Sequence, residues 1–419
     1  MNIDVIITDH HIPGDTIPQA LAVLNPKQID CLYPFKELCG CGVALKLMTA
    51  LTKKFNASFE LIIDLLDLVA LGTAADLVPM VDENRLIVSF GLETLKNTKR
   101  LGIRELLKVA GVDLDRNLNV SQVVFHVAPR INAAGRLGDA NCVVELLTTT
   151  AYNTAAQLAR ELDEENKRRQ TIQQEVIDEA ILMVNSNVDL ENDVAIILGS
   201  EGWHQGVAGI VASKLKEMYH RPSLIISFDK EGVGKGSARS INSLDLYKAL
   251  DFTKHWLHNY GGHAMAAGLS LKKSNFNSFR KEFMEYAKSV LKTRDLEPVI
   301  ILEDELLLLD INRRFMKFLE KLRPYGPGNM RPKFAVRSVD IVGNPRIIGN
   351  GDHIRFQVKQ GHSTFSVIGF NLASKYENLI IGQPVDIACV VETNIWKGIE
   401  SVQLNARDIQ LSASANGRT

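Results

Sequence analysis

Val5-Ile6-Ile7-Thr8-Asp9-His10-His11 is a β-branched run that ends abruptly in a carboxylate and two imidazoles. Such a run reads as a parallel strand of an α/β protein, buried on both faces. Open α/β sheets place their ligands at the carboxyl ends of such strands. Asp9, His10 and His11 together suit a divalent cation of Mn2+ or Mg2+ type, through oxygen and imidazole ligands. A plain strand-end turn fits the same residues, because Pro13-Gly14-Asp15 follows at once.

Around this strand, 419 residues leave room for about two to four domains, each able to bury a core. An apolar fraction of 46% and a charged fraction of 23% are those of a soluble globular chain. No window approaches the roughly 18 uninterrupted apolar residues of a membrane span. The first residues lack the basic-then-apolar pattern of a secretory signal. Five cysteines, odd in number and scattered, point to a reducing cytoplasm. Cys39-Gly40-Cys41 has no second cysteine pair to complete a metal site and reads as a buried pair of small thiols. Net charge is −1, so binding of nucleic acid requires a local basic surface. Residues 310–340 hold eight Lys or Arg against three acids, which makes them the natural bed for a phosphate backbone.

Downstream of the strand, Val43, Ala44, Leu47 and Leu51 have helical spacing. Leu61, Ile62, Leu65, Leu66, Val69 and Ala70 form a second apolar helix face, with Asp64 and Asp67 on the opposite, solvated side. That helix is expected to end at Gly72-Thr73. Asp76 follows among small residues, where backbone can approach a ligand; it reads either as a further metal ligand or as a helix-cap aspartate. In Pro129-Arg130-Ile131-Asn132-Ala133-Ala134-Gly135-Arg136-Leu137-Gly138, guanidinium groups stand beside bare backbone. This suits phosphate binding, and equally a structural loop with surface arginines. A helix over 151–185, polar all round in its middle, would span roughly 50 Å and reads as an interdomain bridge.

Val194-Ala195-Ile196-Ile197-Leu198 opens a second α/β region as a buried strand. The glycine-rich turn 199–209 leads into a helix from Ile210, an arrangement that can cradle an anion. Its spacing matches neither the P-loop nor the dinucleotide fingerprint. Ser237 and Arg239 lie two apart on a strand, hence on one face, where they can grip a terminal phosphate. His263 stands in a bed of Gly and Ala, as a core histidine or a substrate contact. From 297 on, short alternating runs at 334–342, 353–358, 364–370, 385–391 and 402–409 predict a small barrel of OB type. The polar tail 412–419 is expected to be disordered.

Asp9-His10-His11, the segment Leu68 to Asp76, Pro129 to Gly138 and Gly261-Gly262-His263-Ala264-Met265-Ala266-Ala267-Gly268, in this order, resemble the RecJ family within the DHH phosphoesterase superfamily. The resemblance covers nearly the whole chain. It implies a DHH domain at 1–150, a bridging helix at 151–186, a DHHA1 domain at 187–296 and an OB-like domain at 297–411. It further implies a single-stranded-DNA-specific 5′→3′ exonuclease of DNA repair and recombination, using paired Mn2+ or Mg2+ to release 5′-mononucleotides. His10 and Asp76 would then hold metal, with Asp9 and His11 beside them in the catalytic set. Arg130, Asn132 and Arg136 would contact the strand, Ser237 and Arg239 the 5′-phosphate, and His263 the same channel. A helicase and a single-strand-binding protein are the partners the family suggests. The family's two earlier aspartate motifs are not found in the eight residues before Asp9, so an N-terminally truncated domain and an incomplete two-metal site are expected. Two alternatives follow: a catalytically impaired single-strand-binding copy, or a phosphodiesterase for short oligonucleotides or cyclic dinucleotides.

Overall fold

The computed structural model describes residues 3–14, 16–114, 118–137, 140–376, 378–396 and 399–412, except the side chains of Arg136, Leu137 and Trp396. Asp15, Gly138 and residues 413–419 of the expected tail lie outside the described residues. The chain packs as two compact units, 1–97 with 118–123 and 300–419, and 98–117 with 124–299. Among the described residues no helix is long and apolar enough to cross a membrane.

In the first unit, β1 (Ile6–Thr8) and β2 (Ala22–Leu24) pair in parallel, Ile6 opposite Ala22 and Thr8 opposite Leu24. The strand direction is as expected, but burial on both faces is not, since Ile6 is 54% exposed. A ribbon of two strands cannot cover both of its own faces, and β2 is the strand paired with β1 among the described residues. α1 (Gly40–Lys54) starts at Cys39, whose thiol accepts from the Gly42 amide. The helix expected over 61–70 is two, α2 (Glu60–Ile63) and α3 (Leu66–Ala75). α3 is apolar nearly all round and therefore buried. Asp67 goes inside with it, not onto the solvated side expected for it.

α4 (Asp82–Lys96) crosses α3 at very close range. A Cβ on Gly91 would lie 2.4 Å from Ala70 Cβ and 2.5 Å from the Leu66 carbonyl oxygen. Backbone thus sets the position of α3, and with it Asp76 at the helix end. Gly91→Ala is expected to cost about 2–3 kcal/mol through overpacking, read as a drop in thermal midpoint. An unchanged midpoint would show that the two helices can separate freely.

The second unit begins with α5 (Leu101–Val109), while the one-turn α6 (Val120–Gln122) returns to the first unit. A short π-helix, Val123–Val127, leads into α7 (Ala128–Leu137), followed by α8 (Asn141–Thr148) and α9 (Tyr152–Asn187). α5, α7 and α8 pack on the first half of α9, where Ala155, Leu158, Ala159 and Leu162 are buried. The apolar start of α9 is thus covered by these three helices. The polar middle of α9 is largely exposed, as expected, with Glu164, Lys167, Arg168, Gln170 and Thr171 open to solvent and only Asn166 and Arg169 buried. There Arg169 donates to Asn166 and Gln173, each at 3.0 Å.

The second half of α9 and α10 (Gln205–Tyr219) cover one face of a five-stranded sheet, with Val176, Ile177, Val207 and Val211 against Ile196, Leu198 and Ile225. The sheet comprises β3 (Ile196–Glu201), β4 (Ser223–Phe228), β5 (Val233–Arg239), β6 (Leu257–Gly262) and β7 (Ala266–Lys272), in the order β3-β4-β5-β7-β6. β3 and β4 are parallel and the remaining pairs antiparallel. α11 (Leu246–Phe252) and α12 (Phe276–Val290) pack on the other face through Leu246, Leu250, Phe279 and Phe283.

The chain then re-enters the first unit through β8 (Asp304–Glu305) and α13 (Arg313–Lys321). The expected barrel follows as β9 (Phe334–Ile348), β10 (His353–Gln360), β11 (Ser363–Gly369), β12 (Pro384–Trp396) and β13 (Ile399–Leu411). The ring closes because β9 pairs with both β10 and β12. α14 (Ala373–Tyr376) lies between β11 and β12 in sequence. The fold is α/β with an OB-like barrel, as the sequence led us to expect.

Candidate functional site

The backbone of Asp9 is tied to β2 by its amide, which donates to the Leu24 carbonyl at 3.0 Å. Asp9 Oδ1 accepts from the His10 and His11 amides at 2.7 and 3.2 Å, and His11 Nδ1 lies 2.8 Å away. Donation from the His11 ring, helped by the two amides, holds the Asp9 carboxyl below its ordinary value. Asp9, His10 and His11 each offer one ligand atom, all within 4.8 Å of one another.

His10 turns inward, against Gly40 of α1. Its Nδ1 lies 3.5 Å from Asp76 Oδ2. Asp76 caps the C-terminus of α3, as the cap reading expects. Two carboxylates and two imidazoles from separate elements form a hard oxygen and nitrogen donor set, the kind that takes Mn2+ or Mg2+. Next to it, Cys39 Sγ lies 3.2 Å from Thr73 Oγ1. Only Cys39 of the expected buried pair is buried; Cys41 is exposed. Donation from the neighbouring Cys41 thiol holds the Cys39 thiol below its ordinary value.

Pro129 to Leu137, open to a loop reading in sequence, is helical as part of α7. Proline is tolerated in a first helical turn, where its missing N–H costs little. Arg130 does not project as a loose guanidinium. Its Nε and Nη2 bind Asp163 Oδ1 at 2.9 and 2.7 Å, Nη2 also donates to the Val109 carbonyl at 3.2 Å, and Nη1 donates to the His126 carbonyl. Asn132 is exposed, and the Arg136 side chain lies outside the described residues.

Asp163, on α9, was missed in sequence because its partner lies 33 residues away, with no local pattern linking them. Burial would raise its carboxyl, but Lys167 at 2.8 Å and the Arg130 guanidinium hold it below the ordinary 3.8. Its stabilising effect is therefore fully present above that value and is lost as pH falls through the lowered one. Asp163→Asn is expected to cost on the order of 2 kcal/mol near neutral pH and to flatten the acid limb of the stability curve. A variant with the original acid limb would show that this pair is inert.

Ser237 and Arg239 share one face of β5 as anticipated, and Arg239 Nη1 lies 3.0 Å from Ser237 Oγ. α10 presses on that face so closely that a Cβ on Gly209 would sit 3.0 Å from both Ser237 Oγ and Arg239 Nη2. Beside them the register runs Ser237, Gly268, Gly261, and a Cβ on Gly261 would meet nothing within 4 Å. The sheet here is a bare shelf whose glycines are not required by packing. His263 stands at the same corner, its amide donating at 2.8 Å to the carbonyl of Ala266, the residue opposite Arg239. The described site residues thus form an Asp9, His10, His11 and Asp76 cluster in one unit, and a Ser237, Arg239 and His263 corner in the other.

The chain matches three family models: the DHH family N-terminal domain over residues 1–73, the DHHA1 domain over 192–289 and the RecJ OB domain over 302–408. It is similar to the single-stranded-DNA-specific exonuclease RecJ of Bacillus subtilis, 39% identical over 413 residues that cover 98% of this chain and 51% of that protein. The Haemophilus influenzae protein of the same name is 36% identical over 422 residues, 96% of this chain and 72% of its own length. The crystal structure of RecJ in complex with Mn2+ from Thermus thermophilus superposes with a TM-score of 0.83 at 30% identity, over 98% of this chain and 59% of that one. A further Thermus RecJ structure is in complex with Mg2+. The chain therefore spans only about half to three fifths of the Bacillus and Thermus proteins.

Proposed function

The chain belongs to the RecJ family, and from that premise we propose that it degrades single-stranded DNA from the 5′ end by metal-dependent phosphodiester hydrolysis, releasing 5′-mononucleotides. The observation that carries this reading is the approach of Asp76 to His10, 3.5 Å between elements separated by more than sixty residues of sequence.

His10 and Asp76 are the proposed metal ligands, with Asp9 and His11 completing the catalytic set. Mn2+ or Mg2+ bound there would supply a nucleophilic water and neutralise charge developing on the scissile phosphate. Asp9 fixes the His10-His11 turn through its bonds to both amides. Ser237 and Arg239 offer a hydroxyl and a guanidinium to a 5′-phosphate, and His263 stands at the edge of the glycine shelf. Asn132 and Arg136 are proposed strand contacts on α7. Arg130, committed to Asp163 and two carbonyls, is proposed to hold that helix in place. The OB-like barrel would track the strand downstream through charge and stacking surfaces. Helicase and single-strand-binding partners, a role in DNA repair and recombination, and a cytoplasmic location follow as proposals from the family and from five free thiols.

The test is Mn2+-dependent release of mononucleotides from a 5′-phosphorylated single strand by the 419-residue chain. Stepwise release from the 5′ end is the expected result. Binding without cleavage would overturn it in favour of a single-strand-binding protein. Cleavage restricted to the shortest oligonucleotides would favour the small-substrate phosphodiesterase.

A further inference from the structure

α13 departs from the pattern of an ordinary surface helix. Its inner face is in the barrel core, where Phe315, Met316 and Leu319 pack with Phe334 and Val336. On the flank of that inner face, beside the cationic outer side, Phe318 stands 53% exposed. A phenylalanine so placed forgoes the stabilisation of burial without an evident structural return. Two cations approach its ring, Arg314 at 5.8 Å and Lys321 at 5.9 Å from the centroid. Arg313 and Lys317 are exposed on the same helix. Among the described residues none of these four cations has an ion-pair partner. The one acid of the helix, Glu320, pairs instead with Arg323 at 2.9 Å.

The helix is also held firmly. Asn312 caps its start, accepting from the Arg314 and Phe315 amides at 2.9 and 3.1 Å. At the other end Arg85 donates to the carbonyls of Lys321 and Arg323 at 2.7 and 3.2 Å, and Tyr325 Oη donates to the Leu319 carbonyl at 2.6 Å. In a chain of net charge −1, this leaves a rigid, positively charged stripe with an aromatic beside it.

We propose that the outer face of α13 is a second contact surface for single-stranded DNA, in which Arg313, Arg314, Lys317 and Lys321 take phosphates and a base stacks on Phe318. The surface lies outside the barrel strands and outside the residues assigned above to metal and 5′-phosphate, and it falls within the basic segment 310–340. It rests on the single-strand reading of the function. Charge alone suits any polyanion, but an aromatic face beside cations specifically suits alternating phosphate and base. Phosphate contacts carry a salt signature, because each one made to a single strand adds about 0.7 to the slope of log affinity against log salt.

The experiment is equilibrium binding of a fluorescent 5′-phosphorylated oligothymidylate to the full chain in EDTA, across a salt series. Replacing Arg314, Lys317 and Lys321 together by Gln is expected to weaken binding at least about tenfold at 0.1 M salt and to reduce the slope by about 2. Phe318→Ala should weaken binding about tenfold with the slope unchanged, while Phe318→Tyr should retain it. These side chains are exposed, and an unchanged thermal midpoint serves as the folding control. Variants that bind like the parent chain, with the same slope, overturn the proposal while leaving the function intact. DNA binding unchanged but a poly-glutamate peptide released by the Gln variant would also overturn it, assigning the surface to an acidic polypeptide. Failure of the parent chain itself to bind the strand would sink the single-strand reading.

Discussion

Replacing Asp76 by Ala should abolish Mn2+-dependent strand cleavage, a loss of at least about a hundredfold, since a catalytic metal supplies several kcal/mol of transition-state stabilisation. The carboxylate is 40% exposed and caps a helix whose position is set by the contact of α3 with Gly91 of α4, so its removal leaves the core untouched. A normal thermal midpoint with lost metal binding is therefore the expected combination, with Mn2+ affinity measured calorimetrically on the same samples. His10→Ala should behave likewise, since His10 and Asp76 face each other across one short gap. Cleavage at the parent rate by Asp76→Ala would mean that His10 and its neighbours hold metal without it.

The second large effect is expected at Arg239. Charge-assisted hydrogen bonds to an anion contribute about 1.5–3 kcal/mol, so Arg239→Ala should weaken binding of a 5′-phosphorylated strand by roughly ten- to a hundredfold. The same strand with a 5′-hydroxyl should lose little. Gly209 offers an independent route to the same result. A methyl group there would crowd both Ser237 Oγ and Arg239 Nη2, so Gly209→Ala should reproduce the loss in part without removing a charge. Equal weakening for phosphate and hydroxyl ends would remove the terminal-phosphate assignment and leave Arg239 as a general backbone contact.

How much of this was legible in the chain depended on whether the determining interaction was local. The barrel strands could be read from alternation, because each buries one face against a shared core; only their ends, which extend past that core, ran longer than expected. Ser237 and Arg239 were placed on one face by strand geometry alone. Asp76 was singled out by its small neighbours, although sequence could not say that its helix would continue to Ala75. Three readings needed the third dimension. Asp67 is buried because α3 has apolar neighbours on every side, which a count of helical periodicity cannot reveal. Pro129 to Gly138 leaves phosphate binding and a structural loop equally open, whereas Arg130 clamps α7 to Asp163, an interaction encoded in two distant places. β1 pairs in the expected direction but is half uncovered, since burial depends on what pairs and packs with a strand and not on its own composition.

The continuity of α9 has a mechanical consequence. At 1.5 Å per residue its 36 residues form a rod of about 54 Å, with α7 fastened to one half and the sheet bearing Ser237 and Arg239 to the other. A rod without a break transmits displacement but does not absorb it. α7, which carries Asn132, and the sheet that carries Ser237 and Arg239 are thus joined through a single unbroken helix.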